Sequence, residues 1–161
     1  MAFHEKEVVM IISFAGHALV PYEEKVKEIV KEQLRDNISV DERILCYLGG
    51  YGAFDKICAS VCRELKMENP KIELIYITPY LNFSEQAKIK EAQEMGTYDR
   101  SIYPPIENVP PKYAISKRNE WMMSNSDLII VYVKHTFGGA YKSLQVAKRR
   151  KKRIINICDL I

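Results

Sequence analysis

No apolar run in this chain approaches the roughly 20 residues that a helix needs to cross a bilayer, so the sequence predicts no membrane span. It has no C-x-x-C pair and no histidine cluster. Its four cysteines (Cys46, Cys58, Cys62, Cys158) and three histidines (His4, His17, His135) are scattered. That spacing argues against a metal site or a dithiol centre and for reduced, buried thiols. Low-complexity linkers and internal repeats are also missing. The 161 residues therefore read as one domain, 1–161, large enough to bury a core. The opening Met1–Glu7 lacks the basic start and apolar stretch of a signal peptide, which points to a cytoplasmic protein.

A large excess of charge of either sign is missing as well. The net charge of +3 is too small to argue for nucleic acid. It is uneven, however, because Lys148–Arg153 is six consecutive bases. Cations favour the C-terminal end of a helix dipole, and that is the first reading of this run. A patch that tracks phosphates is the alternative.

Glycine is rare, yet six of the seven glycines fall in three short loops, each after an apolar, β-prone run. Gly16 follows Val8–Phe14; Gly49, Gly50 and Gly52 follow Ile44–Leu48; Gly138 and Gly139 follow Leu128–Val133. Further strands are predicted at Ile72–Thr78 and Arg153–Cys158. Helical spacing marks Tyr22–Asp36, Ala53–Met67, Ser84–Glu94 (with Ser84 as N-cap), Lys112–Asn125 and Ala140–Lys151. Strands alternating with helices of this length predict an α/β, Rossmann-like fold. Its mostly parallel sheet would have about five strands, flanked by helices. Residues 80–111, with four prolines between Gly96 and Pro111, read as an insertion that forms a lid or a surface loop.

In such a sheet, ligands bind beyond the C-terminal ends of the strands, where all three glycine loops fall. Free backbone N–H groups at a helix start hold anions, so a nucleotide pocket is the first functional hypothesis. The candidate ligand-binding residues are Gly16, His17, Gly49, Gly50, Tyr51, Gly52, Asp55, Thr78, Pro79, Arg118, His135, Gly138, Gly139 and Lys142. Asp55 lies in the first turn of its helix, where it either faces the ligand or neutralises the dipole. Lys142 opposes the dipole of its own helix, which suggests an anion-facing role. Arg118 shares a helix face with Trp121 and Met122, an unusual place for arginine unless it reaches a carboxylate or phosphate. The G-x-G-x-x-G and G-K-[ST] fingerprints are both absent.

The motifs taken together are recognisable. They are F-A-G-H, L-G-G-Y-G-A-F-D, I-T-P-Y, I-Y-P-P, K-R-N-E-W-M and S-D-L-I-I-V-Y-V with G-G-A-Y-K. Over nearly its whole length the chain resembles the YpsA-like branch of the SLOG superfamily. The resemblance implies a Rossmann-like fold that binds nucleotides or nucleotide-derived ligands. The superfamily includes Smf-type DNA-processing proteins, the "lonely guy" phosphoribohydrolases, and ligand-sensing domains of channels and immunity effectors. The phosphoribohydrolases carry an arginine in R-K-x-x-M, which Arg118 and Met122 match. They also carry a glutamate in P-G-G-x-G-T-x-x-E. Here Tyr141 falls at the third glycine, Lys142 at the threonine and Gln145 at the glutamate, and no carboxylate occurs between Gly138 and Arg153. Cleaving an N-glycosidic bond needs a carboxylate at the developing oxocarbenium ion.

The resulting expectation is a non-catalytic binder, with no cofactor, of an ADP-ribose derivative or a cyclic nucleotide signal. Its role would be sensing or sequestration, for instance as a phage-type sponge against nucleotide-signalled immunity. The alternatives are an N-glycosidase in which Arg118, Glu120 or Asp55 acts, and a DNA-binding accessory protein. The resemblance also implies a homo-oligomer.

Overall fold

A computed structural model describes residues 8–161. Met1–Glu7, on which the reading of a missing leader rests, and His4 lie outside the described residues. The chain builds β1 (Val9–Gly16), α1 (Glu23–Asn37), β2 (Arg43–Leu48), α2 (Gly52–Glu68), β3 (Ile72–Ile77) and α3 (Phe83–Glu94). It continues with β4 (Arg100–Ile102), α4 (Ala114–Ser124), β5 (Leu128–Tyr132), α5 (Gly139–Arg149) and β6 (Arg153–Asn156). All strand pairs are parallel, in the order β4-β3-β2-β1-β5-β6. The order reverses between β1 and β5, which sets the switch point where such sheets bind ligands.

Strands β2 and β5 are almost continuous apolar runs because both sheet faces are covered. On one face, α1 supplies Val26, Val30 and Leu34, and α2 supplies Phe54, Ile57, Cys58, Val61, Cys62 and Leu65. Their spacing of three and four puts each set on one helix stripe. The other face is closed by Met122 and Met123 of α4 and by Leu144, Val146 and Ala147 of α5. All four cysteines are free. Three are buried, and Cys158 is partly so. No helix among the described residues is long and apolar enough to cross a membrane.

Among the described residues the sheet has six strands rather than about five. The sixth, β4, hides in the insertion because three residues, Arg-Ser-Ile, carry no apolar period. Local polar contacts hold it in place. Asp99 exchanges backbone and side-chain bonds with Leu74, and Glu73 accepts from Arg43 and Arg100. Two boundaries also move. Asn82, not Ser84, caps α3, its Oδ1 accepting from Glu85 N at 2.9 Å. The last strand ends at Asn156, whose side chain bonds both backbone groups of Val133 and the N–H of Cys158. That turns the chain into a 3-10 turn at Ile157–Leu160, so Cys158 is not in a strand.

Gly16 is required for steric rather than conformational reasons. A Cβ there would lie 2.3–2.5 Å from the Phe54 side chain, which is fully buried. Overpacking of a closed core costs about 1–3 kcal/mol. Gly16→Ala should lose that much in a urea melt, and Phe54→Leu in the same chain should recover part of it.

Candidate functional site

A cavity of about 380 Å³ opens at the C-terminal edge of the sheet, over the switch point. Its walls come from the end of β1 and the turn after it (Phe14–Ala18), the loop and first turn of α2 (Gly49, Tyr51, Gly52, Asp55) and α4 (Ile115, Arg118, Asn119, Met122). The turn entering α5 closes it with His135, Phe137–Ala140 and Ser143. The three glycine loops thus converge, as their positions after strands predicted. They contribute differently.

At the α2 end two backbone N–H groups are already occupied. Tyr51 N–H donates to Asp55 Oδ2 at 3.1 Å, and Ala53 N–H donates to Ala18 O at 2.9 Å. Gly50, at φ +75°, turns away from the cavity: its Cβ would lie 2.8 Å from the Tyr76 ring. Asp55 neutralises the helix dipole from its first turn. Its other oxygen, Oδ1, is buried and has no hydrogen-bond partner. Burial pushes the Asp55 carboxyl up to about 6, against the opposing pull of Tyr51 N–H and Arg118.

Arg118 is only 2% exposed. Its Nη1 donates to Gly49 O at 3.1 Å and to Ile77 O at 2.5 Å, and its Nε donates to Asn119 Oδ1 at 2.8 Å. The guanidinium also sits over the Tyr51 ring, 5.7 Å from its centroid. Burial pulls its pKa below the ordinary value, with Tyr76 and Asp55 opposing. A Cβ on Gly49 would meet Asp55 Oδ2 at 3.2 Å and Arg118 Nη2 at 3.3 Å. Glycine at 49 therefore keeps open the space these two charged groups share.

The α5 end is backbone-rich and bare. Gly138 takes φ +91°, and a Cβ on Gly138 or Gly139 would meet nothing within 4 Å. Lys142 N–H reaches Gly138 O at 3.1 Å. The N–H groups of Gly139, Ala140 and Tyr141 thus have no acceptor within the helix. No acidic residue lies in the first turn of α5. Beside it, His17 and His135 stand with ring centroids 4.8 Å apart, and His135 stacks on Phe137 at 5.2 Å. His17 Nε2 accepts from the N–H groups of Lys134 and His135 at 2.8 and 3.3 Å. That nitrogen therefore anchors the α5 loop and is not free for a ligand. Burial, and then His135, lower the His17 pKa, in keeping with an accepting neutral ring.

Some predicted site residues lie elsewhere. Thr78 is a buried corner at the end of β3, its N–H bonded to Ile102 O and its Oγ1 to Tyr80 O. Neither Thr78 nor Pro79 lines the cavity. Lys142 and Glu120 flank an adjoining groove instead, with Glu120 paired to Lys117 at 3.3 Å. Asn119, Phe137 and Ser143 line the cavity, although the glycine and charge signals did not single them out. Asn119 follows Arg118 directly, and Ser143 is one helical turn past Gly139, so only α4 and α5 in contact reveal them.

The model of the YspA SLOG family matches residues 20–158, most of the chain. The chain belongs to the YpsA family of SLOG proteins. No curated protein matches it. Solved structures share the fold, among them two of DNA processing protein A. One is DNA processing protein A from Helicobacter pylori, described for its single-stranded DNA binding mode, at TM-score 0.53 and 17% identity. The other is DNA processing protein A from Streptococcus pneumoniae, at TM-score 0.59 and 14% identity. The matches cover 90% and 91% of this chain but 63% and 49% of those proteins.

Proposed function

We propose that this SLOG domain binds a nucleotide-derived small molecule, such as an ADP-ribose derivative or a cyclic nucleotide, and holds it without cutting it. The observation that carries this reading is the open N-terminus of α5 at the cavity wall. Three unpaired N–H groups, a positive helix end and no nearby acid make a phosphate site. The exposed Phe137, stacked on His135, offers a face for a base. The cavity volume falls in the range of small-ligand pockets. Gln145 stands where the catalytic relatives have glutamate and supplies neither charge nor base.

A second reading, N-glycosidase, draws on Asp55. A cavity-lining carboxyl raised to about 6 suits a general acid. The third, DNA binding, draws on Lys148–Arg153. This run begins in the last turn of α5 and continues past its end, where Lys151 N–H and Lys152 N–H close onto Lys148 O and Ala147 O. It therefore sits at the end of α5 away from the cavity, where cations complement the dipole.

One panel separates the three readings. Nucleoside monophosphates, ADP-ribose and cyclic dinucleotides are each incubated with the protein, followed by thermal shift and by chromatography for free base. A stabilising shift with no base release is expected. Base release that Asp55→Ala abolishes would establish the glycosidase instead. Salt-dependent DNA binding lost on charge reversal at Arg149, Arg150 and Lys151, with no nucleotide shift, would favour the third.

A further inference from the structure

The cavity has two chemically opposite ends, and the inference that follows rests on the nucleotide reading above. At α5 it presents the open N–H groups of a helix start with no acid in the first turn. At α2 the dipole is already neutralised and a carboxyl stands beside a guanidinium. A phosphate placed at the α2 end would meet the Asp55 carboxylate.

Asp55 and Arg118 each have unspent capacity. Asp55 Oδ2 is held by Tyr51 N–H, which fixes the carboxyl plane, while Oδ1 is buried without a partner. A buried acceptor left unsatisfied costs about 1–3 kcal/mol, so its retention needs a reason. Among the described residues, no carboxylate lies within ion-pair distance of Arg118, although the guanidinium is buried. Gly49 keeps the space beside both groups free of a side chain. A group that fits there must donate to a carboxylate and accept from a guanidinium. A hydroxyl does both, whereas a phosphate oxygen or an aliphatic carbon does not.

We propose that Asp55 is the specificity-determining residue of the cavity, its carboxylate accepting a hydrogen bond from a free ribose hydroxyl in the space beside Gly49, with Arg118 alongside. The phosphate then lies over Gly139–Tyr141, so the ligand has one orientation. The preferred class is ribonucleotide over deoxyribonucleotide. The charged and titratable groups around Asp55 are Arg118 from α4, Tyr51 on the same loop, Tyr98 from the segment before β4, and Cys58 on α2.

The test is calorimetry with AMP and ADP-ribose, each beside its 2′-deoxy and 3′-deoxy counterparts. The wild-type protein is expected to lose at least about tenfold in affinity when the contacted hydroxyl is removed. A site built around a hydroxyl rejects the analogue lacking it strongly. Asp55→Ala should bind the ribo and deoxy forms within about twofold of each other, and its folding is checked by circular dichroism. Equal binding of ribo and deoxy forms by the wild type would overturn the proposal and leave the nucleotide reading standing. So would a ribose preference that survives Asp55→Ala. Binding of none of these ligands would overturn the nucleotide reading, and this proposal with it.

Discussion

Asp55→Asn is expected to stabilise the protein at about pH 7.5 by up to about 3 kcal/mol, although it alters the candidate site. The Asp55 carboxyl titrates at about 6 in the fold against 3.8 for an ordinary aspartate. Below 3.8 both folded and unfolded chains hold the proton, and the group imposes no penalty. Between the two values the unfolded chain releases its proton while the folded chain keeps it, so stability falls as pH rises. Above 6 the penalty is complete and constant. At 1.36 kcal/mol per pKa unit, the gap of about two units is worth about 3 kcal/mol. Asparagine keeps an oxygen for Tyr51 N–H and carries no charge to desolvate. Urea melts across this range should show wild-type stability dropping between about pH 4 and 6, and a flatter profile for the variant. A residue that weakens its own fold while lining a cavity is the pattern expected where binding, not stability, retains it. Unchanged stability in Asp55→Asn would mean the carboxyl is better solvated than the fold implies.

Arg118→Ala should cost about 2–4 kcal/mol and abolish binding in the cavity. Truncation takes the donor from Gly49 O and Ile77 O, each loss worth about 1–3 kcal/mol. It also opens a void where a fully packed side chain stood. Relief from burying a charge offsets part of this. Arg118→Met keeps most of the volume and separates the two causes. It should recover the part due to the void and none of the binding. A denaturant midpoint for Arg118→Ala equal to wild type would show that the guanidinium supports neither carbonyl.

The parallel sheet and its covering helices were legible because long periodic segments dictate them. The apolar runs Ile44–Leu48 and Leu128–Val133, and the stripes of α1 and α2, admit few other readings. What stayed hidden was short or depended on contacts distant in sequence. Three residues of β4 carry no period; what holds them is the bond of the preceding Asp99 to Leu74 and the pairing of Arg100 with Glu73, partners distant in sequence. The convergence of the glycine loops was legible from their places after strands. Their division of labour was not. That Tyr51 N–H is spent on Asp55, and that Gly50 turns toward Tyr76, depend on side-chain positions no spacing encodes. Gly16 shows the same limit: a glycine read as a ligand contact is also a packing necessity under Phe54.

One cavity, between the α5 N-terminus and the Asp55–Arg118 pair, is the proposed site of a nucleotide-derived ligand. A crystal structure with the tightest-binding member of the nucleotide panel tests it most directly. The expected result is a phosphate on the N–H groups of Gly139–Tyr141 and a ribose hydroxyl against Asp55. A ligand seated instead along Lys148–Arg153, with the cavity empty, would contradict it.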